Sequence, residues 1–549
     1  MAGLVPAIHA FVLDQGVDAR HKAGHDNWKI HASAGSLMHA PGTQQRGPLE
    51  ASIFVEALRA HAGAFVAGAL IAHAILWTLA PVLSEPTPSP KIALGLAAGR
   101  EWLLGYPDLP PLAPWLLQCV YAATRSLVAV KMLGPAAVAL TGWLVFALAR
   151  RIVGERQGAI ATLVMVSVHP VAFPVGALDS ALVQMPLVAA GVLAWWRAVR
   201  EGDQRAWLLL GLMLGLLPYA GALGIFLLVA LIGLTLSTST GRTTLRTHDS
   251  YGGALMAFVV FVLVAAPRVV WLVNHQFSGL IEDAAIEPLG AMKAYEAFGG
   301  ALAGHLGLVV LVVIASPLLG GGREATIVSR APLIGFTVAT VIALATLPFV
   351  LAGIVATVLG LRVAIGAFAP LLLYSGLFAV VLAGDSLAIH RQRTAAFVVI
   401  LFLLLPPLLD GLTGFVAPWV GNRGLAANWP AADVARTATE AFRARTGKRL
   451  EIVVADAVTA SQVALASRDR PHAFPEGDRA LAPWIKEGDL RAKGAVVIWP
   501  IFRGNTAPPA ALAANLPLFV PEAPLTLSWV RPGRLDPVRL GWAIIPPAP

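Results

Sequence analysis

The chain has 549 residues, 57% of them apolar and 13% charged, with a mean hydropathy of +0.73. These values lie far from those of soluble globular chains and place most of the protein in lipid. The formal charge of +9 would suit nucleic acid, but Lys and Arg sit mostly at the ends of apolar runs, so no nucleic-acid partner is expected and membrane lipids are. The single cysteine, Cys119, excludes an internal disulfide framework and a cysteine metal cluster.

Residues 1–50 carry His9, His21, His25, His31 and His39 among polar residues, with no run long enough to span a membrane and no apolar core of a signal peptide. The opening resembles a translated repeat element, which would put the working start at Met38. This stretch is expected to be a disordered or spurious extension.

A membrane domain follows over residues 51–410. At about 20 apolar residues per crossing, eleven spans are predicted: 62–83, 127–149, 159–176, 182–196, two short crossings within 207–236 broken at Pro218–Tyr219, 252–273, 302–319, 333–355, 363–382 and 394–409. Arg59, Arg150–Arg151, Arg197–Arg200–Arg205, Arg242–Arg246, Arg323–Arg330 and His390–Arg391–Arg393 then share one side. By the positive-inside rule that side is cytoplasmic, the N-terminus is inside, and the loop after the first span faces out. Trp102, Trp115, Trp195, Trp196, Trp207 and Trp271 fall at predicted membrane surfaces, as an aromatic belt would.

That first outer loop, residues 84–117, is polar and punctuated by proline. Its segment 92–104 reads as an amphipathic helix lying in the interface. After residue 409 the composition turns mixed, marking a soluble domain over 411–549. Residues 431–446 have helical spacing between Pro430 and Gly447, 450–456 and 494–500 read as buried strands, and 458–467 as a helix, so a small α/β domain is expected. It carries none of the common phosphate-loop, nucleophile-elbow or zinc-protease motifs.

GYPDLPPLAPWL, residues 105–116, resembles the first extracytoplasmic loop of the GT-C glycosyltransferases of the family 39, ArnT and protein-mannosyltransferase type. FALARRIVGERQGAIAT, WLLLGLMLGLLPYAGAL and APRVVWLVNHQF resemble later segments of the same family, in the same order, over residues 62–280. The resemblance implies an α-helical polytopic membrane protein of about eleven spans, with the small α/β domain on the periplasmic face of a bacterial inner membrane. It also implies a hexosyl- or pentosyltransferase that moves a sugar from a polyprenyl-phosphate donor to a lipid, glycan or protein acceptor. It names no certain cofactor; a divalent cation is compatible with phosphate departure.

Such a transfer needs an outer-face carboxylate to take the acceptor's proton and cations to hold the leaving phosphate. Asp108, Glu85 and Asp179 are the catalytic candidates, with Glu101 behind them. Lys91, Arg100, Arg125 and Arg268 are the donor-phosphate candidates, and Tyr106, Pro110, Pro111 and Trp115 form the substrate loop. Turn capping, helix N-capping and pairing with neighbouring cations are the bland readings of these acids. Asn274 and His275 read equally well as interface anchors. The family's usual Asp after the first span is replaced near Lys91, and the Lys before its Tyr is replaced by Pro218 ahead of Tyr219. Either a neighbouring acid has taken the role, or the chemistry differs, or activity is lost; a non-enzymatic scaffold and a lipid or glycan transporter are the alternatives.

Overall fold

The computed structural model describes residues 53–548 except 174, 281–284, 287–289, 319–325, 390–391, 421–423, 502–505, 517–518 and 532. The N-terminal histidines, Arg323, His390 and Arg391 lie outside the described residues.

A short helix α1 (Ile53–Ala60) leads into α2 (Ala62–Ser84), and the first loop then folds into α3 (Pro90–Gly99) and α4 (Leu112–Thr124). The chain continues through α5 (Leu127–Lys131), α6 (Leu133–Val153), α7 (Glu155–Ala172), α8 (Ser180–Arg200), α9 (Gln204–Ala220), α10 (Gly224–Ser237), α11 (Ser239–Arg246) and α12 (His248–Asn274). Strand β1 (Ala285–Ile286), α13 (Gly290–Leu318), β2 (Thr326–Ser329), α14 (Gly335–Val358), β3 (Leu361–Arg362), a 3-10 turn (Ile365–Leu371), α15 (Ser375–Leu382), β4 (Ser386–Ile389) and α16 (Gln392–Val420) complete the helical part. Antiparallel ribbons β1–β3 and β2–β4 tie its loops.

Among the described residues seven helices are long and apolar enough to cross a membrane, and nine if two bent pairs, α10–α11 and the 3-10 turn with α15, each count once. The protein is therefore a multi-pass membrane protein with helices at each predicted span. The expected break at Pro218–Tyr219 moves: α9 runs through both residues, and the turn falls at Gly221, whose φ of +152° lets the chain reverse. The last span is also longer than expected, because neither Asp410 nor the Pro406–Pro407 pair ends α16, which reaches Val420.

The aromatic belt needs correction. Trp195, Trp196 and Trp207 are buried between helices, and the Trp195 indole donates to Thr235 Oγ1 at 2.8 Å. Trp102 is exposed, as a surface anchor would be.

The C-terminal part holds α17 (Ala431–Thr446), β5 (Ile452–Ala455), α18 (Ala457–Ala466), β6 (His472–Pro475), α19 (Asp489–Lys493), β7 (Ala495–Pro500), α20 (Ala510–Asn515), β8 (Leu525–Leu527) and β9 (Val538–Ile545). Its mixed sheet has the order β6–β5–β7–β9–β8, with the first three strands parallel. Strand β5 is apolar throughout because both faces are covered: Val453 and Ala455 join the α17 side with Phe442 and Val463, while Ile452 and Val454 join Phe474 and Trp499.

This domain is bound to the first loop. Thr87 donates from N to the Ala427 carbonyl at 3.0 Å and from its hydroxyl to the Trp429 carbonyl at 2.9 Å. Gln462, buried on α18, donates to the carbonyls of Pro88 and Ala426 at 3.2 and 3.1 Å. Helix α3 is thus clamped between α4 and α18, with Ile92 and Leu96 buried. The flat interfacial helix expected over 92–104 is replaced by this sandwich, which ends at Gly99.

Candidate functional site

The first loop is shaped around one buried cation. Arg268 on α12 is fully buried and donates to three backbone carbonyls: Leu104 at 3.0 Å, Gly279 at 2.8 Å and Pro218 at 3.3 Å. Its guanidinium also lies 4.6 Å from the centre of the Trp271 ring. A cation inside an apolar span is tolerated when protein satisfies it in this way. The contacts draw the first loop, the end of α9 and the loop after α12 together. Gly105 is required there, since a Cβ would stand 1.8 Å from an Arg268 guanidinium nitrogen. Gly279 has φ +61°, and a Cβ would stand 1.8 Å from the Tyr106 carbonyl oxygen.

The rest of GYPDLPPLAPWL follows from this anchor. Tyr106, Pro110 and Pro111 are buried, Pro111 leads into α4, and the Trp115 indole donates to the Leu103 carbonyl at 3.1 Å. The Trp115 ring packs 5.7 Å from Tyr219. Burial pushes the Tyr106 phenol above its ordinary pKa. Asp108 stays exposed.

Beside this loop opens a cavity of about 910 Å³, lined by Tyr106–Leu109, by the turn 276–280, by Leu94 and Ala98 of α3, and by Val458 and Trp484 of the C-terminal domain. Asp108 lines it; Glu85 and Asp179 do not. Lys91 stands one turn before Leu94 on the same face of α3. Its Nζ donates to Asp179 Oδ2 at 2.6 Å, while Asp179 Oδ1 caps α8 by accepting from Leu182 N at 3.0 Å. The structure therefore joins the first and second loops through one ion pair, and Asp179 both caps and pairs.

Glu85 sits apart. Its Oε2 lies 3.1 Å from Lys131 Nζ, which also donates to the Pro81 carbonyl at 2.7 Å and the Glu85 carbonyl at 3.3 Å. Burial raises the Glu85 pKa, Lys131 opposes the rise, and Asp410 adds to it. Asp410 lines a second, apolar cavity of about 610 Å³ with Trp77, Phe173, Leu308 and Phe402. Glu101 is held elsewhere, its Oε1 2.6 Å from His472 Nδ1. Arg100 and Arg125 lie toward that same seam with the C-terminal domain and do not line the Asp108 cavity. His275 stacks on Trp271 at 4.0 Å with Nδ1 2.8 Å from that residue's carbonyl oxygen, and Asn274 is exposed beside it.

Asp410, His472 and the C-terminal wall of the cavity escaped the sequence reading, because each reaches the loop through the fold rather than through a local pattern; Lys131 reads from sequence as an isolated cation near an outer span end, and its pairing with Glu85 is set by the fold. A further group lies in the bundle core: His73, His169 and His305 are all buried, the rings of His169 and His305 are 5.4 Å apart, and His305 Nε2 is 2.8 Å from Ser375 Oγ. Polar residues within apolar runs were their one visible sign. Among the described residues no three His, Cys, Asp or Glu side chains converge to hold a metal ion. A divalent cation would have no such ligand set there.

Residues 108–271 match the profile of the dolichyl-phosphate-mannose-protein mannosyltransferase family. The fold is similar to that of ArnT from Cupriavidus metallidurans bound to undecaprenyl phosphate, with a TM-score of 0.50, 14% identity, and coverage of 88% of this chain and 98% of that one. The apo state of the same protein gives 0.50 at 12% identity, covering 86% and 96%. The Archaeoglobus fulgidus oligosaccharyltransferase in its apo form gives 0.39 at 13% identity, covering 74% and 64%. No curated protein sequence matches the chain.

Proposed function

We propose that this chain, a multi-pass membrane protein of the GT-C glycosyltransferase fold, transfers a sugar from a polyprenyl-phosphate donor to an acceptor at the periplasmic face of a bacterial inner membrane. The observation that carries the reading is the 910 Å³ cavity walled jointly by the first loop, the turn after α12 and the C-terminal domain, with Asp108 on its lining. A concave site with few polar groups suits a small sugar headgroup. The ArnT structure bound to undecaprenyl phosphate supports the choice of donor class.

In this reading Asp108 takes the proton of the acceptor hydroxyl as its oxygen attacks the anomeric carbon, and the bond from that carbon to the phosphate oxygen breaks. Lys91, held by Asp179, faces the leaving phosphate; Asp179 positions that ammonium and does not itself touch the reacting atoms. Tyr106, Pro110, Pro111 and Trp115 keep Asp108 in place through the buried half of the loop, and Arg268 fixes the loop's entry. The second, apolar cavity along α7 and α16 is suited to the isoprenoid chain.

The test uses the purified full chain with a polyprenyl-phosphate sugar and a panel of hydroxyl acceptors. Asp108→Asn should lower turnover by roughly a hundredfold to ten-thousandfold, with expression retained because Asn keeps the shape of the side chain. Asp179→Asn should raise KM more than it lowers kcat. Near wild-type turnover in Asp108→Asn would remove it as the base, and no sugar consumption by the unmodified protein would favour a non-enzymatic scaffold.

A further inference from the structure

Three arginines, from the ends of α3 and α4 and from the turn after α18, gather around Tyr121 and the Arg470 backbone at the seam between the helical bundle and the C-terminal domain. Arg100 follows α3 and donates from one nitrogen to the carbonyls of Arg470 and, at 3.5 Å, Pro471. Arg470, between α18 and β6, lays its guanidinium 4.8 Å from the centre of the Tyr121 ring on α4. One of its nitrogens lies 3.0 Å from the Leu465 carbonyl oxygen and 3.4 Å from the Tyr121 hydroxyl. Arg125, exposed in a left-handed turn (φ 55°) where α4 ends, stands one turn beyond Tyr121, its N donating to the Tyr121 carbonyl at 2.8 Å, and so flanks the ring on which Arg470 lies.

The cluster is strongly positive. Burial holds Arg470 below the usual guanidinium range; Tyr121 opposes this, and the charges of Arg100 and Arg125 add to it. Among the described residues none of the three is ion-paired, and the neighbouring carboxylate of Glu101 is committed to His472. Three such groups at one seam repel each other until an anion joins them, and the arginine fork matches phosphate oxygens two at a time.

Depth points to the source of the anion. Arg125 lies two residues before Leu127, where the second long apolar stretch begins, and Val128 and Met132 just beyond it are exposed apolar side chains. Trp102, Leu104 and Leu116 expose further apolar surface nearby. Cations above exposed apolar carbon form the depth profile of a lipid headgroup. We propose that Arg100, Arg125 and Arg470 together bind a phosphate carried by a membrane lipid, so that a lipid joins the C-terminal domain to the bundle. The phosphate belongs either to an anionic phospholipid or to a polyprenyl phosphate. None of the three arginines lines the Asp108 cavity.

The experiment reconstitutes the full chain in phosphatidylcholine nanodiscs containing a minor fraction of phosphatidylglycerol or of undecaprenyl phosphate, and reads retained lipid by native mass spectrometry. The wild type should retain one of the two over phosphatidylcholine, and Arg125→Gln should weaken that retention about tenfold or more, as expected for a lost charge-assisted contact. Arg125 is exposed and its side chain donates no hydrogen bond among the described residues, so the variant should melt as wild type does, separating lost binding from lost folding. Arg470→Lys, which keeps the charge without the fork, should fall between. A loss confined to phosphatidylglycerol assigns the site to a phospholipid; a loss confined to undecaprenyl phosphate assigns it to a polyprenyl phosphate. Equal retention by wild type and Arg125→Gln, or no preference over phosphatidylcholine, overturns the proposal. Phosphatidylglycerol retention requires no sugar transfer, so its outcome stands apart from the fate of the transferase reading.

Discussion

Glu85 closes α2 in surroundings unlike water, and its behaviour with pH follows from that. Burial raises its pKa in the fold, against the pull of Lys131 and with help from Asp410. The folded chain therefore holds the Glu85 proton more tightly than the unfolded chain. Its contribution to stability is greatest below the ordinary glutamate pKa of about 4.3 and falls as pH rises from there through the raised folded value. Glu85→Gln should flatten that part of the curve of thermal midpoint against pH in detergent; a slope identical to wild type would show that another group sets it. The loop around Glu85 was partly legible in the sequence. The Gly-Tyr-Pro-Asp-Leu-Pro-Pro pattern is local, and Arg268 stood out as a charge within an apolar run. What Arg268 holds was not legible, because its partners are the backbone carbonyls of Leu104, Pro218 and Gly279, which leave no mark on residue type. Asp410, Arg470 and His472 were hidden for another reason: each meets the first loop across more than 300 residues of chain.

The elements that hold the cavity together are α3 and α18. Their contact depends on one buried amide: Gln462 donates to the carbonyls of Pro88 and Ala426, the first ahead of α3 and the second in the segment joining the bundle to the C-terminal domain. Gln462→Leu keeps the bulk but leaves two carbonyls without their donor, at a cost of about 1–3 kcal/mol. Protease cleavage between α16 and α17 should then speed up by roughly tenfold, since about 1.4 kcal/mol is that factor in the population of opened molecules. An unchanged cleavage rate would mean the amide does not govern docking. At this scale the sequence reads well where length decides, as in the long apolar helices, and also where caps decide, as in α17 between Pro430 and the left-handed Gly447. It reads poorly where pairing partners decide. Strand β9 is set by its pairing with β7, whose Trp499 lies against Gly541, and β8 by its pairing with β9; β9 also mixes Arg539 and Gly541 into its apolar run, which masked it.

For the whole molecule, contacts among helix ends sort the chain into two faces. At one face Glu85 meets Lys131, Lys91 meets Asp179, Arg268 joins Leu104 to Pro218 and Gly279, β1 pairs with β3, and Arg531 donates to the carbonyls of Leu83 and Gly414. At the other, Glu155 accepts from Gly63 N, Arg151 pairs with Glu201, Thr244 donates to the Val199 carbonyl, and Gln157 donates to the carbonyls of Val328 and Asp385. Following the chain from Gly63 to Gly414, it passes between these faces at α2, at α5–α6 and at each of α7, α8, α9 and α10. It passes again at α12, α13, α14, the 3-10 turn with α15, and α16. Among the described residues that is eleven passages, whereas length and apolarity alone admit seven helices or nine with the bent pairs. Helix α7 has 18 residues and α9 has 17, about 27 and 26 Å at 1.5 Å per residue, close to the thickness of a hydrocarbon core. With eleven crossings the C-terminal domain is expected on the side opposite α1. Because Arg150–Arg151 and Arg197–Arg200 cluster at the Glu155 face, that face is expected in the cytoplasm. Reporter fusions at Arg200 and Pro430 should score cytoplasmic and periplasmic respectively. A cytoplasmic score at Pro430 would require an even number of crossings and would move the Asp108 cavity to the side of the membrane away from the proposed acceptor.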